Sequence, residues 1–446
     1  MGDDTYLIAL NCGSSSIKGR LYVVPHSKKE KFEQQATLSV SNIGAPGEPI
    51  HFTLKWSDNK GKDMDIHTDD GGSVEHKDLF PRILDHLSGS GGVKKDQIRY
   101  VTHRIVHGGE NKKPLVVTKE HPEALKDMDK LGEFAPLHNY HAILGVRACL
   151  DVLPESKNLL CFDTLFHQTL PPAVYKYSLP PTKVKTVIPL RKYGFHGLSY
   201  ASITHTLSKE LGRPANLVVC HLGSGCSAAC IHEGKSIDTS MGLTPLEGLV
   251  GGTRTGSIDP TAIFHHTPDY AEMVPELHVN KAEYIMNKKS GLLGLSGTTN
   301  FGHICERKAA NVGDVLGKNE KSDGFKVTKE DKENAAVTYD VFLDRLMAYL
   351  SQYVMKLAYE TGGVEKIDGI VFAGGIGEHS AELRRDAIGR LGVLGVKIDE
   401  KKNEAGVPEG KTQVLVSTGD SKVKVYIVLT DEEGWTAHMA REVFDI

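Results

Sequence analysis

Two arginines, an aspartate and a histidine stand out because each is framed by glycines or by strand-like apolar neighbours. Arg104 lies within the strand-like run Thr102-His103-Arg104-Ile105-Val106-His107, which ends just before Gly108-Gly109. A guanidinium held there suits bidentate capture of a carboxylate or phosphoryl group, and a structural ion pair is its ordinary alternative use. Arg254 sits in a turn between Gly252 and Gly256, Asp163 in Phe162-Asp163-Thr164-Leu165-Phe166-His167, and His196 between Gly194 and Gly197. The glycines beside His196 would leave a substrate room to reach the ring. Three small-residue turns complete the set: Asn11-Cys12-Gly13-Ser14-Ser15-Ser16-Ile17-Lys18, His221-Leu222-Gly223-Ser224-Gly225 and Gly374-Gly375-Ile376-Gly377-Glu378. Small side chains let backbone N–H groups approach phosphate oxygens. The Walker-type spacing of a P-loop is absent, so any phosphate handling uses another scaffold.

These groups need elements to hold them. Tyr6 to Leu10 and Ile17 to Val24 read as strands around the first turn, and Leu217 to Cys220 and Ser227 to Ile231 repeat the pattern half a chain later. Two such hairpins suggest a duplicated domain. Ile370 to Ala373 reads as a strand, followed by the third glycine turn and a helix over Ala381 to Leu391, the context a phosphate-binding turn requires. Apolar residues recur at three and four over Ala335 to Tyr359, and a second helix is expected over Glu432 to Phe444. Lys28 to Gly92 reads as polar and irregular, and Arg307 to Asn334 as a solvated loop. The fold class expected is α/β, in two similar halves with a Gly-rich cleft between them.

Composition narrows the function classes. The chain has 446 residues, of which 46 are glycine, above the usual share of roughly 7%. A net charge of −4 gives no basic face for nucleic acid. Seven cysteines without a C-x-x-C pair argue against a disulfide framework or zinc ribbon and for a reducing compartment. The N-terminal stretch lacks a basic region and a long apolar run, and no segment approaches the ~18 apolar residues of a membrane span. No membrane and no nucleic-acid partner are therefore expected, and a cytoplasmic location is.

Taken in order, N-x-G-S-S-S-x-K at Asn11 to Lys18, H-R-x-V-H-G-G at His103 to Gly109, A-P-L-H-N at Ala135 to Asn139, F-D-T-x-F-H at Phe162 to His167 and Y-G-F-H-G at Tyr193 to Gly197 resemble the motifs of the acetate kinase family. So do Asp238 to Gly248, G-T-R-x-G at Gly252 to Gly256, Gly374 to Glu378 and Thr430 to Glu433. The resemblance spans nearly the whole chain. It implies two duplicated ribonuclease H-like domains of the actin, hexokinase and heat-shock ATPase superfamily, divided as 1–163 and 164–433 with a terminal helix over about 434–446 packing back onto the first. It also implies a homodimer and reversible, Mg²⁺-dependent phosphoryl transfer between ATP/ADP, or another donor, and acetate/acetyl phosphate. Carried over position by position, Arg104 and Arg254 would clamp the carboxylate and the phosphoryl group, Asp163 would orient the substrate or an arginine, and His196 with Arg254 would stabilise the transferring group. Asn11 and Glu432 would hold Mg²⁺. Ser14, Ser16, Lys18, His138, His221, Gly223, Ser224, Gly225, Gly374, Gly375, Ile376 and Gly377 would line the phosphate and nucleotide path. Val106, Leu137, Phe195 and Pro245 would enclose the methyl group.

Departures from the family pattern fall mainly at one end. Ser224 stands where an asparagine is usual, and His379 interrupts the G-E-N-S pattern. Asn300-Phe301-Gly302-His303 lacks the Asp and Arg expected on the adenosine side, and Tyr349 replaces a glycine expected near the base. Relaxed nucleobase selectivity follows as an expectation. A propionate or butyrate kinase would need a roomier acyl pocket, and a nucleotide-gated conformational module would have no use for the second set of arginine, aspartate and histidine.

Overall fold

A computed structural model describes residues 4–446 except 14, 28–29, 46, 69–73, 135, 276, 278 and 319–323, and describes no side chains for 59 and 133–138. The first sheet contains β1 (Tyr6–Cys12), β2 (Ser16–Val23), β3 (Glu33–Ser41), β4 (Ile50–Trp56), β5 (Met64–Thr68), β6 (Ile98–Ile105), β7 (Leu115–Val117) and β8 (Lys157–Phe162). Its order is β5-β4-β3-β2-β1-β6-β8-β7. The second contains β9 (Leu217–Leu222), β10 (Cys226–His232), β11 (Lys235–Thr239) and the strands Gly369–Ala373, Gln413–Leu415 and Val425–Val428. There β11-β10-β9 is followed by Gly369–Ala373, Val425–Val428 and Gln413–Leu415. Each sheet has an antiparallel hairpin whose first strand pairs in parallel with a later strand, β1 with β6 and β9 with Gly369–Ala373. The halves thus share one topology, the duplicated actin-like arrangement.

The hairpin tips correspond in detail. Gly13 N–H donates to the Ser16 carbonyl at 2.8 Å and Gly223 N–H to the Gly225 carbonyl at 3.1 Å. Gly374, at φ +73°, abuts the second hairpin: a Cβ there would stand 2.7 Å from the Leu222 carbonyl oxygen. That close approach brings Gly374–His379, a short helix where the sequence reading expected a turn, onto the tip of β9–β10.

The segment 28–92 is ordered where described, which corrects the reading of it as irregular. β3 and β4 alternate buried and more exposed residues, with Ala36, Leu38 and Val40 and then Ile50, Phe52 and Leu54 entering a core shared with the helix His76–Gly91. Arg307–Asn334 is likewise no single loop: a helix runs from Phe301 to Ala309, two-residue strands pair Val315–Leu316 with Phe325–Lys326, and the helix Lys329–Thr361 has begun. That long helix starts at a reciprocal Thr328/Asp331 capping box and ends at Gly362 in the left-handed conformation. Its buried side forms the main core with the second sheet.

The terminal helix Glu432–Phe444 lies on the first sheet. Ala437 and Ala440, at most 1% exposed, let it approach Leu7, Ala9 and Leu159 closely, and Thr436 Oγ1 meets Thr102 Oγ1 at 2.8 Å. Glu432 is thereby brought next to β1 and β6. Among the described residues, no helix is long and apolar enough to cross a membrane.

Candidate active site

β6 and β8 pair in parallel, Arg104 opposite Cys161 and Ile105 opposite Phe162, so Arg104 and Asp163 emerge side by side at one sheet end. Arg104 Nε and Nη2 donate to the two carboxylate oxygens of Asp163 at 3.3 and 2.9 Å. Its Nη1 lies 2.8 Å from Glu432 Oε2, which also accepts from Asn11 Nδ2 at 3.3 Å. Asp163 is fully buried and Glu432 nearly so. Burial pushes the Glu432 carboxyl well above the usual carboxylate range against the pull of Arg104, and Asp163 and Glu433 add to the rise. Asp163 therefore orients Arg104, leaving the guanidinium only part of its donor capacity for a ligand. The neighbouring acids do different work: Asp431 caps the terminal helix through Gly434 N–H and pairs with Arg20 at 2.6 Å.

His196 sits at φ 56°, ψ 22°, just before the helix Gly197–Leu211. The flanking glycines serve the backbone and do not make room for substrate, which corrects the sequence expectation. A Cβ on Gly197 would stand 1.8 Å from the Asp163 carbonyl oxygen, and one on Gly194, at φ +78°, 2.6 Å from the His167 ring. Glycine here lets the His196 turn press against the Asp163 turn. The His196 ring stacks on His221 with centroids 4.0 Å apart. Its Nδ1 meets Ser227 Oγ at 2.8 Å, and His221 Nδ1 meets Ser199 Oγ at 2.9 Å. Burial, then the charge of Arg104, pushes His221 down to about 3. Burial followed by His221 and the two arginines pushes His196 well below its ordinary value, so both rings are neutral at pH 7.

The same physics covers His103, His107 and His167, whose burial pushes each down to about 4. Unfolding frees these rings to take up protons near pH 6.5. Their folded pKa values are depressed, so the unfolded chain binds more protons between about pH 6.5 and 4, and stability falls as pH falls through that window, by up to about 1.4 kcal/mol per histidine per pH unit. Thermal melting is expected to be flat from neutral to mildly alkaline pH and to drop steeply below about pH 6.5. A melting temperature unchanged between pH 7.5 and pH 5, about the span of that window, would overturn this account.

Arg254 approaches from the second half. A Cβ on Gly225 would stand 3.0 Å from Arg254 Nη1 and 3.3 Å from His196 Nε2, so a cation and an imidazole nitrogen meet at the tip of β9–β10. Arg254 Nη1 also donates to the Pro245 carbonyl at 3.4 Å. Among the described residues no carboxylate pairs with it, and burial, with Arg104 opposing its charge, lowers its pKa. On the acyl side Phe195 is buried and Val106 half-buried in one apolar cluster with Leu243. Pro245 is buried beside Arg254. Ser14 and the side chains of Leu137 and His138 lie outside the described residues.

Two cavities meet here. One, of about 440 Å³, is lined by Asn11, Lys18, Arg104, His221, Gly374, Gly375 and Glu432. The other, of about 580 Å³, is lined by Gly223, Ser224, Asn300, Phe301, Gly375, Ile376, His379 and Glu382 among others. Gly375 lines both. Gly377 is buried behind this wall, Gly225 lies at the tip itself, and Ser16 opens β2 with its Oγ 3.6 Å from a Cβ built on Gly13. Tyr349 does not line the larger cavity: its hydroxyl meets Ser257 Oγ at 3.3 Å, and its ring packs near Tyr353. Tyr349 therefore does not stand at this cavity, contrary to the expectation that it lies near the base. Asn300 does reach the cavity, but its side-chain oxygen accepts from Gly302 and His303 N–H as a helix cap.

Comparison with known proteins decides the family. The acetokinase family model matches residues 6–438. The chain belongs to the acetokinase family. As a member it is a kinase acting on acetate. A probable acetate kinase of Cryptococcus neoformans var. neoformans serotype D is 51% identical over 100% of both chains. Solved structures are similar over nearly their full lengths: a propionate kinase from Francisella tularensis, 30% identical with TM-score 0.78 over 98% of each chain, and an acetate kinase from Porphyromonas gingivalis, 29% identical with TM-score 0.77 over 99% of this chain and all of that one.

Several residues of this acetokinase site escaped the sequence reading. Ser227 and Ser199 orient the two histidines. Glu378 Oε1 accepts from Gly374 and Thr430 N–H, both at 3.0 Å, and ties the short helix Gly374–His379 to the chain entering the terminal helix. Asn139 brackets His107 by accepting from its N–H and donating to its carbonyl. Ser199 lies two residues past Gly197 and Ser227 one past Cys226, which was the available signal.

Proposed function

We propose that this acetokinase moves a phosphoryl group between a nucleoside triphosphate and acetate in one direct in-line step, with Arg254 and His196 holding the group in flight. The observation that carries this reading is the convergence of Arg254 Nη1 and His196 Nε2 beside Gly225 at the tip of β9–β10, whose residues Gly223 and Ser224 line one cavity and His221 the other. In-line transfer spreads charge over three equatorial oxygens, so fixed cations and donors matter more than a nucleophile. Arg254 supplies a cation with no competing carboxylate. His196 supplies a neutral donor at Nε2 when Ser227 Oγ, which also meets the Tyr200 hydroxyl, gives its proton to His196 Nδ1. Arg104, fixed by Asp163, faces the acetate carboxylate with its remaining N–H groups. Val106, Phe195 and Pro245 meet the methyl end.

Mg²⁺ fits the oxygen donors at the cleft floor. The amide oxygen of Asn11 and the carboxylate of Glu432 are hard ligands on a cavity with space for water and phosphate oxygens, the kind of partial protein shell Mg²⁺ accepts. When bound it would neutralise charge on the donor phosphates. Lys18, exposed at the same cavity, with Ser16 and the glycine turns, would position those phosphates. We read the cleft as lying between a domain over 1–163 and one over 164–433. The seven free cysteines fit a reducing compartment, and a cytosolic homodimer completes the reading by family resemblance.

One assay tests this. The acyl phosphate formed is trapped as its hydroxamate while acetate, propionate and butyrate are crossed with ATP, GTP and pyrophosphate in Mg²⁺. Acetate is expected to be the preferred acid. The charged lining residue of the donor cavity, Glu382, is held by Lys308 at 2.6 Å, and the oxygen of Asn300 is used as a cap, so neither is free to read a base. A pocket without base-directed hydrogen bonds discriminates by less than roughly 100-fold, and ATP and GTP should fall within that range in kcat/KM. Hydroxamate blank with every donor would defeat the function, and an exclusive ATP preference would defeat the base-side argument alone.

A further inference from the structure

We propose that the outer hairpin of the first sheet carries a binding site for a divalent transition-metal cation of the zinc class, formed by His51, Asp65 and His67. β4 and β5 pair antiparallel with His51 directly opposite His67. The two-residue period sends Ile50, Phe52 and Leu54 into the core, so His51 from one strand and Asp65 and His67 from the other share the solvent face. The two imidazoles stack, with centroids 4.1 Å apart and planes within 7°. Their Nε2 atoms lie 2.7 and 3.8 Å from Asp65 Oδ1. One ligand atom from each residue can be chosen so that all three lie within 4.8 Å of one another.

Those separations suit a metal. With N and O ligands at about 2.0 to 2.2 Å in a tetrahedral shell, ligand atoms stand roughly 3.3 to 3.6 Å apart, so exposed side chains need only small rotations to close around an ion. A surface ion pair would account for His51 and Asp65. It gives no reason for a second imidazole, stacked on the first, to point at the same oxygen. Two imidazole nitrogens and one carboxylate select zinc, copper or nickel over Mg²⁺ and Ca²⁺, which prefer oxygen-only shells. The site is far along the sheet from β1 and β6, so its occupancy clips the edge strand β5 to β4 and leaves the catalytic groups alone.

The test is a calorimetric titration of the full chain with zinc chloride in excess Mg²⁺, paired with thermal melting. A single saturable ion per chain and a higher melting temperature with zinc are expected. Both effects should weaken at least about tenfold in affinity or vanish in His51→Ala and His67→Ala, while Asp65→Asn weakens binding less. Mg²⁺-dependent acetate kinase activity, unchanged in all three variants, shows that they fold. Absence of saturable zinc binding in the wild type, or binding and stabilisation unaltered in the two histidine variants, overturns the proposal.

Discussion

Arg254→Ala is expected to lower kcat by roughly 10²- to 10³-fold, the usual loss of one fixed donor to a transition state, while the melting temperature stays level or rises. The two halves of this result come from one fact. Among the described residues Arg254 has no carboxylate partner; its Nη1 donates to the Pro245 carbonyl at 3.4 Å and lies with His196 Nε2 beside Gly225. Burial and the neighbouring charge of Arg104 disfavour its cationic form, so removing it relieves a penalty. A cation retained at a cost to stability is most readily explained by a charge that arrives with the substrate. Arg104 is a poorer probe: its removal would strand Asp163 and Glu432 together in a buried position, and the lost activity would be mixed with lost folding. Steady-state kinetics with a thermal melt of the same Arg254 variant decide the matter. Near-full kcat, or a large fall in melting temperature with proportionate loss of activity, would show that Arg254 is structural.

The parts legible in the sequence were those written in local pattern. Both hairpins announced themselves by apolar runs broken at glycines, as did the strand Gly369–Ala373 and the helix Ala381–Arg390, and the terminal helix by its periodicity; Gly374–His379, read as a turn because of its glycines, is itself a short helix. Segment 28–92 was misread because its average composition is polar, although Ala36, Leu38 and Val40 alternate with Thr37, Ser39 and Ser41 in the period of a strand. The period carried the information and the composition concealed it. Other features were illegible because they exist only across distance. The Arg104–Glu432 pair joins the end of β6 to a helix at the far end of the chain, and no local rule predicts it. The orientation of His196 depends on Ser227 and Tyr200, which reach it only after β10 and the helix Gly197–Leu211 are packed. Tyr349 was placed correctly in a helix, but periodicity alone cannot say which of two flanking surfaces a partly buried position faces.

Gly197→Ala should cost about 3 kcal/mol or more of stability and at least roughly 10² in kcat together, the joint loss being the informative point. The added methyl would lie 1.8 Å from the Asp163 carbonyl oxygen and 2.9 Å from both the Asp163 carbonyl carbon and Phe166 Cβ. Two of the three are main-chain atoms, so no rotamer change relieves the clash. Either the helix Gly197–Leu211 retreats and carries His196 away from Arg254, or the turn at Asp163 retreats and loosens the two hydrogen bonds that aim Arg104. Both outcomes break the geometry of His196, Arg254 and Arg104, which is why a glycine with no side chain of its own should behave as an active-site residue. Gly389→Ala is the matched control: it lies inside the helix Ala381–Arg390 with nothing within 4 Å of a built Cβ, and alanine should hold or raise stability there. Differential scanning fluorimetry and the hydroxamate assay read both variants. If Gly197→Ala melted and turned over like the wild type, the contact between the two turns would not be what positions His196 and Arg104.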